Sequence, residues 1–170
     1  MVWVWQAGLT IAQRHPLTQA LDPVDSPSDN TISLELLENA VDSISHAIEL
    51  MVWQDVSDER SRLKQAILSV AHGVELLLKE RLRQVHPSLI WEDVDKYPRL
   101  DARTVGAERA IHRLKSIGAV DLSDEDVQLV RSLRNTRNAI EHFKWHTTRE
   151  EASLIVGSAL SFAVAFAQEQ

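Results

Sequence analysis

No proline follows Pro98, so the C-terminal part of this 170-residue chain contains no residue that would break a long helix. Apolar residues recur there, and in the segment before it, at spacings of three and four, as they do on one face of a helix. Beyond residue 30, no convincing stretch alternates apolar and polar residues as a half-buried strand would. The sequence therefore predicts an all-α fold, in a chain of ordinary length for one domain.

Three helices are predicted in the first part of the chain. The first begins near the capping residues Asp29 to Thr31, and its apolar stripe consists of Leu37, Val41, Ile44, Ile48 and Met51. The second runs from about Ser57 to Val85, and its stripe consists of Leu63, Ile67, Val70, Val74, Leu77 and Leu82. Ala71 and Gly73 in its middle would let a neighbouring helix approach closely. A third, shorter helix spans roughly Thr104 to Ser116.

Two further helices follow, each opened by a capping pattern. The fourth begins at Ser123, which is followed by three acids that favour the first turn of a helix, and ends near Lys144 to His146. The fifth begins at Thr148 and is apolar nearly all round from Leu154 to Phe166, so we expect it to be buried in the bundle or in a subunit interface. The predicted architecture is an up-and-down bundle of four to five helices.

Residues 1–30 differ from the rest of the chain. The short β-prone run Val2 to Trp5 is followed by a stretch rich in serine and aspartate that contains Pro16, Pro23 and Pro27. We interpret this segment as an extended arm or leader ahead of a helical bundle over residues 31–170. A tail laid over the domain's own surface and an arm that binds a partner are equally compatible with this composition.

Composition limits the classes of function. The chain has no cysteine, which excludes a disulfide scaffold and thiolate metal sites and suits a reducing cytosol. Its formal charge of −7 argues against wrapping of nucleic acid by the whole surface. The longest nearly apolar run, Leu154 to Ala167, is too short to span a bilayer, and the N-terminus has no basic segment or cleavage site typical of a signal peptide. We therefore expect a cytoplasmic protein without a membrane segment.

A local basic cluster lies on the predicted fourth helix of this acidic chain. Between residues 131 and 146, four cations are opposed only by Glu141, and they are Arg131, Arg134, Arg137 and Lys144. Arginine binds phosphate bidentately, asparagine can position it, and the interleaved His142 can exchange a proton near neutral pH. These groups suit phosphodiester chemistry. Because Glu141 is the single carboxylate among them, we expect neither a magnesium site nor any other cofactor.

The segment Arg137 to His142 resembles the Arg-x4–6-His signature of the HEPN superfamily, whose members are four- to five-helix domains. Many of these are ribonucleases in toxin–antitoxin, CRISPR and phage-defence systems. The position late in the penultimate helix and the following Asn138 match the family, and the run Val74 to Leu82 is similar to the second helix of many bacterial members. The same spacing separates Arg81 from His86, so helix position and neighbouring residues carry the resemblance rather than spacing alone.

The resemblance implies a metal-independent endoribonuclease that leaves a 2′,3′-cyclic phosphate and a 5′-hydroxyl. In that mechanism His142 acts as general base or acid for attack by the RNA 2′-hydroxyl, Arg137 stabilises the charge on the phosphoryl oxygens, and Asn138 orients the phosphate or His142. The remaining cations would bind flanking phosphates of the RNA, and they are Arg131, Arg134 and Lys144. Glu75 and Glu141 would support the site.

Helical geometry adds a homodimer to this expectation. At 100° per residue, Arg137 and His142 are separated by about 140° and cannot point at one spot within a single helix. Two such helices related by a two-fold axis could bring them together, as the resembling family does. The core-facing side of the fourth helix is predicted to consist of Val127, Leu129, Val130, Leu133, Ile140 and Phe143.

Structural alternatives remain open for each of these residues. Arg137 could serve only in an ion pair with Glu141 or Glu75, and His142 could be favoured simply by the dipole at the end of a helix. Glu75 and Lys79 have the spacing of a helix-stabilising pair. For the whole domain, the alternative to a ribonuclease is a non-catalytic HEPN-like bundle that binds a partner protein or a nucleotide.

One position departs from the family pattern and bears on the protein partner. Many HEPN toxins carry a tyrosine two residues after the histidine, where a nucleotidyltransferase antitoxin attaches AMP. This chain has Lys144 there. The resemblance therefore favours a different antitoxin or defence-complex partner, or no antitoxin at all.

Overall fold

The computed structural model describes residues 34–52, 58–118 and 120–168, and these residues contain no strand. They form five α-helices, which are α1 (Leu36–Val52), α2 (Glu59–Val85), α3 (Ala107–Ser116), α4 (Asp124–His142) and α5 (Arg149–Gln168). The prediction of an all-α fold is confirmed. The predicted arm over residues 1–30, and the predicted start of the first helix at Asp29 to Thr31, lie outside the described residues.

Helix α2 is the centre of the bundle, because each of the other four helices packs against it. Its apolar side chains form the middle of the core, and the largest fully buried ones are Ile67, Val70, Val74, Leu78 and Leu82. The predicted stripe of this helix is therefore largely confirmed. A helix with neighbours on several sides must bury residues outside one stripe, which explains the burial of Leu76 and Leu78 as well.

Helix α1 lies unusually close to α2 at Gly73. A Cβ atom added at Gly73 would stand 2.6 Å from Cγ1 of Ile44 and 3.1 Å from the carbonyl oxygen of Ala40. The prediction that a small residue here admits a neighbouring helix is confirmed. The predicted stripe of α1 is wrong in part: the small residues Ala40 and Ala47 face α2, while three members of the stripe are exposed, namely Leu37, Val41 and Ile48.

The connection between α2 and α3 is held by Arg113 of α3. Its guanidinium donates hydrogen bonds to the carbonyl oxygens of Leu89, Trp91 and Glu92. Burial lowers the pKa of Arg113, although the group stays charged at any physiological pH. These bonds attach two short 3-10 turns, Pro87–Ile90 and Val94–Lys96, to the bundle.

Helix α4 begins as predicted and ends earlier. Ser123 and Asp126 form a capping box, in which each side chain accepts a hydrogen bond from the other's backbone. The helix ends at His142 and not near Lys144 to His146, because Phe143 adopts an extended backbone. The predicted burial of Phe143 is wrong for the same reason: helical periodicity no longer applies to it, and it is 78% exposed.

Helix α5 buries one side and not its whole circumference. The buried side faces the core, whereas Leu154 and Val164 are exposed. The helix has 20 residues, so it is longer than the apolar run Leu154 to Ala167 seen in the sequence. Within the described residues, α5 is the single helix whose length and composition would suffice to cross a membrane. It packs against α2 and α4, and about a third of its apolar stretch is buried.

The close approach at Gly73 gives a test of the fold. We expect Gly73→Ala to lower the free energy of unfolding by about 1–2 kcal/mol, because the strain of overpacking exceeds the gain in helix propensity. Gly157→Ala is the matched control, since nothing lies within 4 Å of its added Cβ, and it should raise stability by about 0.5–1 kcal/mol. Urea unfolding of both variants measures the difference. Equal effects at the two glycines would contradict the close approach.

A buried ion pair on α2 predicts how stability depends on pH. Glu80 is 5% exposed, and Arg83 donates two hydrogen bonds to its carboxylate at 2.7 and 2.8 Å. Arg83 lowers the pKa of Glu80 below the ordinary value of 4.5. The ion pair's contribution to stability is therefore complete at neutral pH and is lost as the pH falls through the lowered pKa of Glu80.

We expect Arg83→Met to lower the free energy of unfolding at pH 7 by about 1 kcal/mol, a modest value because Arg83 is itself half exposed. The difference from the unmodified protein should shrink as the carboxylate is protonated. Arg99→Met, which removes an exposed pair with Asp101, should have no measurable effect. Denaturant titrations between neutral and acidic pH make the comparison, and a difference that persists in acid would contradict this account.

Candidate functional site

Glu141 stands between Arg137 and His142 at the end of α4. Its Oε2 atom is 3.2 Å from Nε of Arg137 and 3.8 Å from Nε2 of His142. The ion pair with Arg137 spans one helical turn, at i and i+4, so it follows from helix geometry. A single carboxylate oxygen thus contacts the guanidinium and the imidazole, and Glu141 has the position of a supporting residue.

The side chains of Arg137 and His142 differ in exposure. Arg137 is 39% exposed and His142 is 67% exposed, because Arg137 lies beside the core-facing side of α4 and His142 lies on its solvent side. Asn138 is half-buried between them. Their positions on the helix are about 140° apart, yet both side chains reach the same oxygen of Glu141. A single chain therefore brings the guanidinium and the imidazole close together, contrary to what this separation led us to expect.

Arg137 also borders a narrow crevice between α2 and α4, which Glu75 lines from the opposite side. Nζ of Lys79 donates hydrogen bonds to Glu75 at 2.7 Å and to Oγ1 of Thr104 at 3.1 Å. Among the described residues, no ion pair within 4 Å joins Arg137 to Glu75. Of the two ion pairs considered for Arg137, the one with Glu141 is present.

Arg131 and Arg134 are both paired with Glu108, the second residue of α3. The distances are 3.7 Å from Nε of Arg131 and 3.1 Å from Nη1 of Arg134 to the two carboxylate oxygens. Sequence reasoning missed Glu108, since no local pattern connects residues that are 26 positions apart. A phosphate bound by these arginines would have to replace this carboxylate.

Among the grooves that border this face of α4, two are lined by Arg131. The first has a volume of about 290 Å³ and lies between α3 and α4, with an apolar floor and a charged rim that includes Glu108 and His112. The second, of about 410 Å³, runs along α4 beside Asn135 and Trp145. His112, which sequence reasoning left without a role, lines the first groove with Arg131 and Arg134.

Lys144, the remaining cation predicted to bind RNA, is exposed and follows the end of α4. Over the described residues, no group of three or more His, Asp or Glu side chains is arranged to hold a metal ion. The chemistry available at the end of α4 is therefore that of an exposed imidazole, an arginine and a carboxylate between them. This set can exchange a proton and stabilise an anionic oxygen.

Comparison with known protein families, curated proteins and solved structures finds no match to this chain.

The pairing of two arginines with one carboxylate can be tested directly. We expect Glu108→Gln to increase the affinity for a fluorescently labelled single-stranded oligoribonucleotide about three- to tenfold, because both guanidiniums lose their counter-charge. Glu125→Gln, at an exposed position on the first turn of α4, is the control for the change in net charge. Fluorescence anisotropy at fixed salt measures both. Equal gains in the two variants would show that Glu108 does not restrain the arginines.

Proposed function

We propose that this protein is a metal-independent endoribonuclease of HEPN type that acts as a cytoplasmic homodimer in a bacterial toxin–antitoxin or phage-defence system. The observation that carries the proposal is the grouping of Arg137, Glu141 and His142 at one end of α4, with the Glu141 carboxylate in contact with both of the other side chains. A proton acceptor and a cation for the phosphoryl oxygens are the two groups that this reaction needs.

The proposed reaction is an internal transesterification of RNA. The unprotonated imidazole of His142 takes the proton of the 2′-hydroxyl, and the 2′-oxygen forms a bond to phosphorus as the bond to the 5′-oxygen breaks. Arg137 stabilises the charge on the non-bridging oxygens, and Asn138 orients the phosphate. The leaving 5′-oxygen takes a proton from water, and the hydroxide produced neutralises the imidazolium. The products are a 2′,3′-cyclic phosphate and a 5′-hydroxyl.

Glu141 has a positioning role in this proposal. The Glu141 carboxylate lies 3.8 Å from Nε2 of His142, close enough to restrict where the imidazole can lie. The same carboxylate holds Arg137 in place. Glu75, across the crevice from Arg137, is a second acceptor that Arg137 could reach by a change of rotamer.

In this proposal the site is shared between two chains, because within one chain Glu141 stands between Arg137 and His142, where a phosphate would have to lie. In a two-fold arrangement, Arg137 of one subunit would meet His142 of the other, so each dimer would contain two equivalent sites. Flanking phosphates of the RNA would bind Arg131, Arg134 and Lys144. Glu108 would first have to move away from the two arginines.

A second function is favoured by a different observation. All three arginines of α4 are already paired with carboxylates, Arg131 and Arg134 with Glu108 and Arg137 with Glu141. Such pairing is also what a structural helix would have. A non-catalytic bundle that binds a partner protein or a nucleotide is therefore the alternative proposal, and the absence of RNA cleavage by the protein would favour it.

The ribonuclease is tested with purified protein, total RNA and EDTA. We expect cleavage that leaves 2′,3′-cyclic phosphate ends, a loss of at least about a hundredfold in His142→Ala and Arg137→Ala, and normal cleavage in His72→Ala, which removes an exposed histidine of α2. End-group analysis of the RNA and sedimentation of each variant complete the measurement. No cleavage, or equal cleavage by the protein and His142→Ala, would refute the proposal.

Mixing the two inactive variants tests the shared site. Random pairing of Arg137→Ala and His142→Ala chains should restore about a quarter of the normal activity, since half of the dimers are mixed and each mixed dimer has one intact site. No recovery in a mixture shown to exchange subunits would contradict a site built from one residue of each chain.

A further inference from the structure

Helix α1 exposes an apolar stripe along its length. It packs almost entirely on α2, and its small residues face that helix. Five large apolar side chains at or beside the same helix are 44% to 70% exposed, and they are Leu34, Leu37, Val41, Ile48 and Val52. From Leu37 to Val52 the stripe is roughly 22 Å long. Contiguous exposed apolar surface of this kind marks an interaction site.

The spacing of the apolar residues in this stripe indicates that the partner is a helix. Leu34, Val41 and Ile48 recur every seven residues, and the apolar residues three positions after each are Leu37, Ile44 and Met51. This is the alternation of three and four residues that packs one helix against another. The second set is shared with the core, since Ile44 and Met51 are half-buried, so the exposed seam lies on the outer edge of α1.

One flank of the stripe is acidic. At 100° per residue, Glu38, Asp42 and Glu49 lie within about 40° of one another and about 90° from the centre of the stripe. Glu35 precedes the helix on the same side, and α1 contains no lysine or arginine. Among the described residues, Glu38, Asp42 and Glu49 have no lysine or arginine within 4 Å, and Glu49 contacts only His46. Glu35 differs, since after Glu80 it also helps to raise the pKa of Arg83 on α2.

These charges discriminate among the candidates for the occupant of the stripe. A second copy of α1 would bring carboxylates of the same sign together, and like charges across an interface are costly. Helices that bind membrane surfaces are rich in lysine and arginine, whereas this one is acidic. A helix with an apolar seam and basic residues along its flank would satisfy both the stripe and the carboxylates.

We infer that the outer face of α1 is a docking surface for a basic amphipathic helix of a partner protein. The partner's apolar seam packs on Leu37, Val41 and Ile48, and its lysines or arginines pair with the acidic flank. This inference concerns a face of the bundle other than the end of α4 and holds whether or not the protein cleaves RNA.

The test uses two synthetic helices of about three heptads with the same leucine seam, one with lysine and one with glutamate at the flanking positions. Labelled peptides are titrated with the full-length protein, and anisotropy reports binding. We expect the lysine helix to bind at least about tenfold more tightly than the glutamate helix, and Val41→Asp with Ile48→Asp to weaken it by about the same factor. Circular dichroism of each variant shows that the bundle is retained.

Charge reversal separates this surface from general attraction to an acidic protein. Asp42→Lys with Glu49→Lys should shift the preference toward the glutamate helix. The control Asp95→Lys with Asp121→Lys makes the same change in net charge at exposed positions outside α1 and should leave the preference intact. Leu154→Asp, at an exposed apolar residue of α5, should also leave it intact.

Four results would overturn the inference. The first is equal binding of both peptides, and the second is equal weakening by the α1 variants and their controls. The third is self-association of the protein that Val41→Asp with Ile48→Asp abolishes. The fourth is binding to phosphatidylglycerol vesicles in preference to the lysine helix. The third would identify the occupant as a second copy of the chain and the fourth as a membrane surface.

Discussion

The packing of four helices on α2 is the constraint on which the rest of the bundle depends. Because α2 has neighbours on several sides, it buries even Lys79 and Glu80, and each of these charges is paired within the helix. The glycine at position 73 sets how close α1 comes. At this close approach Ala40 and Ala47 are fully buried and Ile44 packs beside Gly73. Leu37, Val41 and Ile48 remain on the exposed side of α1.

Features of the fold that depend on local sequence, such as the starts of helices, could be predicted. Features that depend on how a neighbouring helix packs could not. Capping patterns placed the starts of α4 and α5, and the burial of apolar residues on α2 followed from their spacing. The stripe of α1 was predicted correctly only in part: Ile44 and Met51 pack against the core, whereas Leu37, Val41 and Ile48 are exposed. Spacing locates an apolar face without telling how much of it a neighbour will cover. The length of α4 was overestimated, since nothing in the sequence marks Phe143 as the residue that leaves the helix.

The same distinction between contacts within one helix and contacts between helices applies to the candidate site. The pairing of Arg137 with Glu141, four residues apart, could be read from their spacing. The contact of His142 with the same carboxylate could not, since the separation of about 140° predicted that Arg137 and His142 point apart. Glu108 pairs with Arg131 and Arg134 across two helices, and this contact could not be read from the sequence. It nevertheless decides whether those arginines are available to an anion. The roles of these residues in RNA cleavage stay predictions, as does the dimer that would bring Arg137 to His142.

The surfaces of α4 and α1 differ in whether their charged side chains are paired. The arginines of α4 already have carboxylate partners, so an anion that binds Arg131 and Arg134 would have to displace Glu108. Among the described residues, Glu38, Asp42 and Glu49 have no lysine or arginine within 4 Å, so negative charge is left unpaired on that face of α1.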